Sequence, residues 1–442
     1  MKNLNSSIIV ALVVLLLCAH ASAAVNSAPA DNAAIEQAAI VPQPARQLAN
    51  QAVSANPGLA ALRQRSAELE QLAEVAANWD DPRLSVDYLN TPVDSLALDD
   101  SPMSGLQFKL SQKIPRLGWT GAARELADAR LQGSRHESAE AELLLRRQVA
   151  TLYWKLVLTR GLRRITGEHI ARTGELLRAV RAHYEVGKAG QNAVLRLTVL
   201  RDRLRDDLGD FDRREVTLVA ALTRALASPA AQDFVTGDSV EPLAPVGNSK
   251  GWSRLAQQRR PVLAALAQRA RSQRAGARMA GVKARPGVSL WVGYRLREID
   301  TALDDGSDFV SAGFSVPLPL SGSARERGRQ RAYMNAELSA LSMLADRENE
   351  IAATLAVINA DWTRAFGKAG TYDRTLIPAA RATLETTLSD FSVGKADFSS
   401  LYESQVELLR LQEAWLRAAV GTHIYAAAAV AETGVSHTGE LR

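Results

Sequence analysis

The sequence predicts a mainly α fold with a smaller β part, in which long coiled-coil helical hairpins accompany four strands. Three observations support this. The chain is rich in Ala, Leu and Arg and poor in aromatic residues, with 16 prolines in 442 residues, a composition suited to long helices. Apolar residues keep a spacing near 3.5 over long stretches, as in Leu145, Val149, Leu152 and Leu156, the pattern of helices wound around one another. Finally, Tyr184-Glu-Val-Gly-Lys-Ala189 returns as Phe391-Ser-Val-Gly-Lys-Ala396, with the two glycines 207 residues apart. Each copy interrupts a helical pattern as a tight turn would, and glycine alone takes a left-handed turn conformation without steric cost. Recurrence in matching context marks a duplicated chain.

Taken in order, residues 1–23 read as a signal peptide: Lys2, an apolar run from Ile8 to Cys18, and Ala21-Ser22-Ala23 before the cleavage point. The run is short for a membrane crossing of about 20 residues. Leu17 precedes Cys18 where a lipobox has a small residue, which argues against lipid attachment, and the mature chain then has no cysteine. Residues 24–49 read as an extended lead-in. The first structural repeat spans 50–228. Its opening helix starts with Asn56 as cap and Pro57 in the first turn, runs to about Trp79, and carries Leu59, Leu62, Leu69 and Leu72 as its stripe.

The period then changes to two. Pro82-Arg-Leu-Ser-Val-Asp-Tyr88 and Leu106-Gln-Phe-Lys-Leu-Ser-Gln-Lys-Ile-Pro115 read as strands of about nine to eleven residues. Val288 to Leu296 and Val310 to Pro319 repeat them. Pro82 and Pro286, Pro115 and Pro319, and Gly118 and Gly322 share an offset of 204, so three extra residues fall in the second long helix. That helix keeps Leu341, Leu344, Ile351, Leu355, Ile358 and Trp362 in heptad spacing, and Pro378 predicts a kink that the first repeat lacks. Leu197, Leu200, Leu204 and Phe211 continue one return helix; Leu401, Leu408, Leu411 and Trp415 continue the other. A Pro- and Gly-rich linker or equatorial segment (229–251) joins the second repeat (252–432), followed by a polar, flexible tail (433–442).

The formal charge of +5 is small for this length and the Arg residues alternate with acids, which excludes a basic nucleic-acid surface. His136, His169, His183, His423 and His437 are scattered, with no ligand-like spacing and no Gly-rich phosphate loop. The sequence therefore predicts no catalytic site, no metal site and no cofactor. His169 reads as a helix-surface or packing residue.

Each strand has one apolar face: Leu84, Val86 and Tyr88; Leu106, Phe108 and Leu110; Leu290, Val292 and Tyr294; Ala312, Phe314 and Val316. Asp87, Lys109, Lys113, Arg295 and Arg297 lie on the other face. Alternation alone fits a soluble sandwich or a membrane barrel. Export, the absence of a spanning helix after cleavage and the strand lengths favour the barrel, with the twelve apolar residues toward lipid. Four strands cannot close one without unpaired edges in lipid. Several chains must share it: two would give eight strands, three would give twelve, and a conduit favours three.

With Leu110-Ser-Gln-Lys-Ile-Pro-Arg-Leu-Gly118, Phe314-Ser-Val-Pro-Leu-Pro-Leu-Ser-Gly322 and the two Val-Gly-Lys-Ala turns in the same order, the chain closely resembles the TolC-like outer membrane factor family from about Asn50 to Glu432. The resemblance implies a homotrimeric α/β-barrel duct in the outer membrane whose helical barrel extends into the periplasm. It would be the passive channel of a tripartite efflux or type I secretion system, joined by a periplasmic adaptor (membrane fusion protein) to an inner-membrane transporter. It assigns adaptor docking to Val186, Gly187, Lys188 and Ala189 and to Val393, Gly394, Lys395 and Ala396. Glu403 falls where some relatives carry an acidic residue that helps constrict the closed pore, and its repeat counterpart is Arg196. The two form a candidate periplasmic gate, against the alternative of an exposed ion pair worth about 0–1 kcal/mol. The rival reading is a soluble periplasmic coiled-coil scaffold or adaptor. Cargo, whether metal cations, drugs or protein, is left open.

Overall fold

The computed structural model describes residues 43–91, 93–94, 98, 101, 103–228, 233–237, 239–297, 307–318 and 322–441. The expected signal peptide and most of the lead-in lie outside the described residues. Helix α1 (Gln43–Ala55) begins where an extended lead-in was expected to continue to residue 49. Its small residues explain this: Ala45, Ala49 and Ala52 recur at four- and three-residue spacing and are buried, so alanine supplies an apolar face as well as helix propensity. Helix α2 (Pro57–Val75) has the expected cap, with Asn56 accepting the Leu59 amide and Pro57 in the first turn. It ends four residues short of Trp79, and Leu62 and Leu72 stay exposed within one protomer.

Strand β1 (Arg83–Leu89) and strand β2 (Gly105–Ile114) form a hairpin. Helix α3 (Trp119–Glu185) follows without a break for 67 residues, a rod of about 100 Å at 1.5 Å per residue. Helix α4 (Gln191–Ala225) returns along it. After the linker come α5 (Ser249–Arg259) and α6 (Pro261–Lys283), then β3 (Val288–Leu296) and β4 (Phe309–Ser315). The four strands make one antiparallel sheet in the order β1-β2-β3-β4, so the two repeats meet along β2 and β3. Strands β1 and β4 have seven residues each, shorter than expected.

The second rod is α7 (Gly322–Thr371), a π turn (Tyr372–Leu376) and α8 (Ile377–Ser392), returned by α9 (Phe398–Thr433). The break sits where Pro378 predicts it. Proline has no N–H to offer the Arg374 carbonyl one turn back, and the wide π turn directly upstream accommodates both this loss and part of the extra length.

Residues Ile40–Arg442 form one compact unit. Its core is a string of clusters between helices rather than one centre. Val149, Leu156 and Leu222 pack near α1; Tyr153, Trp154, Phe211 and Leu416 join α3, α4 and α9; Leu176, Val180, Leu197, Leu384 and Leu401 lie toward the turns. In α7, Ile351, Leu355, Ile358 and Trp362 are buried as expected, but Leu341 is exposed and Ala340 is buried in its place. Met334, Leu338 and Leu341 therefore leave an apolar stripe at helical spacing uncovered within one protomer.

The linker and tail are more firmly held than their composition predicts. Trp362 donates its indole N–H to the Leu243 carbonyl at 2.8 Å, the Leu243 amide donates to Thr422, and Trp252 donates to Val246 and Leu441. Val435 and Leu441 are buried against that tryptophan pair. Two indoles needing acceptors thus fix two segments that otherwise read as loops.

Candidate functional site

The sheet is the first part of the site. Its register sets Leu84, Leu110, Val292 and Ala312 in one row, and Val86, Phe108, Tyr294 and Val310 in the next. Tyr88 opposes Leu106, and Leu290 opposes Phe314. All the apolar strand residues named from the sequence within the sheet therefore share one face, and Val316 follows directly after β4. That face is the more exposed one: Leu84 is 64% and Phe314 73% accessible. The polar face is the less exposed. There Arg295 Nη2 donates to Gln107 Oε1 at 3.2 Å, Lys109 Nζ lies 4.6 Å from the Trp291 ring centroid, and Arg297 lies 4.4 Å from that of Phe309. Such an arrangement inverts the usual rule of an apolar interior and a polar surface.

The turns are the second part. Gly187 (φ +69°) and Gly394 (φ +75°) both sit just past a helix C-terminus in the left-handed region. The Lys188 and Ala189 amides both donate to the His183 carbonyl, as Lys395 and Ala396 do to that of Asp390. The two turns are conformational copies. Val186 and Val393 are two-thirds exposed, whereas Ala189 and Ala396 pack inward on the cluster of Leu176, Leu197, Phe391 and Leu401. The return helices start differently. Gly190 offers no side-chain cap, while Asp397 accepts from the Ser400 amide at 2.9 Å and its hydroxyl at 2.6 Å. Those bonds hold the Asp397 carboxyl below its ordinary range.

The candidate gate residues lie in the first turns beyond. Within a protomer, Arg196 does not pair with Glu403; its guanidinium lies 4.5 Å from the Tyr402 ring centroid and 5.8 Å from that of Phe398. Glu403 is exposed.

Two polar clusters escaped the sequence reading. His169 is 2% exposed. Its Nε2–H donates to Gln412 Oε1 at 2.7 Å, while Nδ1 accepts from Gln405 Nε2 at 2.9 Å, so one neutral tautomer satisfies both partners. Burial pushes the imidazole below its usual pKa, against the Gln412 hydrogen bond. Farther along, fully buried Arg260 reaches Glu140 at 2.8 Å and Glu432 at 3.6 Å, and Arg147 reaches Glu432 at 2.7 Å. The glutamines at 405 and 412 are seven residues apart, the one signal that could have revealed the His169 cluster; nothing in the sequence pairs Arg260 with Glu140. Among the described residues no group of three His, Cys, Asp or Glu side chains is placed to hold a metal ion, and no helix is long and apolar enough to cross a membrane.

The chain thus joins a four-stranded sheet with an exposed apolar face to long helical hairpins. Residues 48–228 match the family model described as Outer membrane efflux protein. The fold of the chain is that of solved outer membrane channels. It superposes on the outer-membrane channel OprN with TM-score 0.73 at 18% identity, covering 88% of this chain and 89% of that one. It superposes on VceC from Vibrio cholerae with TM-score 0.72 at 15% identity, covering 88% and 96%, and on the open MtrE channel of Neisseria gonorrhoeae with TM-score 0.65 at 17%, covering 89% of each. A search of curated protein sequences gives no match. Residues 48–228 thus match the outer membrane efflux protein family, and the chain shares the fold of those solved channels.

Proposed function

We propose that this chain is the outer membrane channel of a tripartite efflux system, passing solutes handed over by a periplasmic adaptor and inner-membrane transporter. The observation that carries the reading is the sheet with its apolar face outward and its cations inward. A soluble scaffold would pay for about 20–33 cal/mol per Å² of such exposed apolar surface, and among the described residues nothing covers it. Lipid would. The sheet's free outer edges, β1 and β4, require neighbouring copies to pair with, and the uncovered stripe of Met334, Leu338 and Leu341 offers a further contact between copies. Three copies would give twelve strands.

In this reading Val186 to Ala189 and Val393 to Ala396 are the adaptor-docking tips. Exposed Val186 and Val393 supply apolar contact, Lys188 and Lys395 supply charge, and Asp397 distinguishes one tip from the other. Six tips per trimer would alternate. Arg196 and Glu403 act at the periplasmic entrance, where Arg196 holds the two hairpins of one protomer together through Tyr402 and leaves Glu403 available to a neighbouring copy.

Deletion of the chain tests the role: it should sensitise the cell to cargo of its partner pump, with restoration by the intact gene and not by a Val186→Asp/Val393→Asp variant. Restoration by that variant would remove the tips from the docking site.

A further inference from the structure

The inward face of the sheet is not evenly charged. In its two central rows, Ser85, Lys109, Gly293 and Ser311 lie side by side, then Asp87, Gln107, Arg295 and Phe309. Two cations therefore face one carboxylate at mid-sheet. Their partners are neutral: Lys109 rests on the Trp291 indole and Arg295 on the Gln107 amide. Among the described residues neither cation is paired with an acid. By contrast, Lys113, nearer the helices, is neutralised by Asp80 at 3.0 Å.

Glycines make this arrangement. A Cβ at Gly313 would come within 2.8 Å of the Trp291 ring, one at Gly293 within 2.8 Å of Gln107 Nε2, and one at Gly105 within 2.9 Å of Arg295 Cγ. The strands omit side chains where the Trp291 indole, the Gln107 amide and the aliphatic stem of Arg295 come against the backbone. Both cations are thereby held in place rather than left to fold back into water.

We infer that the barrel section of the duct is a fixed-cation band, set by Lys109 and Arg295 on their neutral supports, which favours anionic solutes over cations. The inference rests on the channel reading. In a trimer the two rows would place six cations and three carboxylates around the lumen. Low-dielectric walls focus such a field, rings of charged side chains set ion preference in pores, and screening at physiological salt extends only about 8 Å.

The test is the zero-current potential of the purified trimer in a planar bilayer under a KCl gradient. The expected chloride-to-potassium permeability ratio is above unity, falls toward unity for Lys109→Gln/Arg295→Gln, and falls below it for Lys109→Glu/Arg295→Glu. The glutamine pair keeps size and hydrogen bonding should the glutamate pair fail to assemble. A wild-type ratio below unity, or a ratio unmoved by the glutamine pair in conducting trimers, would overturn the inference while leaving the channel intact. Assembled trimers with no conductance in any condition would instead overturn the channel reading, and the inference with it.

Discussion

Arg196, in the first hairpin, stacks on Tyr402 of the second at 4.5 Å, although its repeat counterpart is the adjacent Glu403. Cation–π contacts at exposed sites contribute about 0.5–1 kcal/mol. Tyr402→Ala should therefore loosen the tips and raise single-channel conductance, while Tyr402→Phe, which keeps a ring, should change it little. Glu403→Arg separates the roles: increased conductance supports an entrance gate that includes Glu403, and unchanged conductance with unchanged drug sensitivity removes Glu403 from it.

Gly187 and Gly394 adopt φ of +69° and +75°, and an added Cβ at either would meet nothing within 4 Å. The cost of Gly→Ala is then backbone strain alone, about 1–2 kcal/mol per site. Each substitution should leave trimers intact but weaken adaptor binding, measured by titration with the purified adaptor. Unchanged affinity in the double variant would separate turn geometry from docking.

Buried His169 and His423 both have pKa values lowered by burial. Below about pH 6.5, their unfolded value, the unfolded chain binds more protons than the folded one. Their contribution is complete above that pH and is lost as pH falls toward their folded values. The melting temperature should drop between pH 7.5 and 5.5, and by less in His169→Gln/His423→Gln. An equal drop in both proteins would assign the acid sensitivity elsewhere.

Arg260 is fully buried between Glu140 and Glu432. Arg260→Ala leaves Glu140 without its cation and Glu432 with Arg147 alone, and should cost about 3–5 kcal/mol, read as reduced thermal stability of the extracted protein. Arg260→Met with Glu140→Gln and Glu432→Gln should recover much of that loss.

Much of this was legible because periodicity and duplication are properties of the chain itself. The strand faces follow from alternation, the Asn56 cap from residue chemistry, and the break before Pro378 from a missing N–H. What escaped depends on contacts far apart in sequence. The buried C-terminal tail needs Trp252, the ordered linker needs Thr422 and Trp362, and the His169 cluster needs Gln405 and Gln412 from the second repeat. Helix α1 was missed because alanine reads equally as loop filler and as a packed helix face. Arg196 was assigned to Glu403 by repeat symmetry, but Tyr402 has Leu195 as its counterpart, so only the second repeat offers a ring.

Val292 lies at the middle of the apolar sheet face, in the row of Leu84, Leu110 and Ala312. An arginine at the bilayer midplane costs about 2–4 kcal/mol, so Val292→Arg should reduce outer membrane trimers strongly, as should Phe314→Arg. Ser311→Arg, on the inward face, should be tolerated. Equal trimer yields from all three would reverse the face assignment.

Cell fractionation of the wild-type chain tests the outer membrane channel most directly. The chain should be recovered with the outer membrane and released only by detergent, at the mass of three copies. Recovery in osmotic-shock fluid as a detergent-free soluble protein would contradict it.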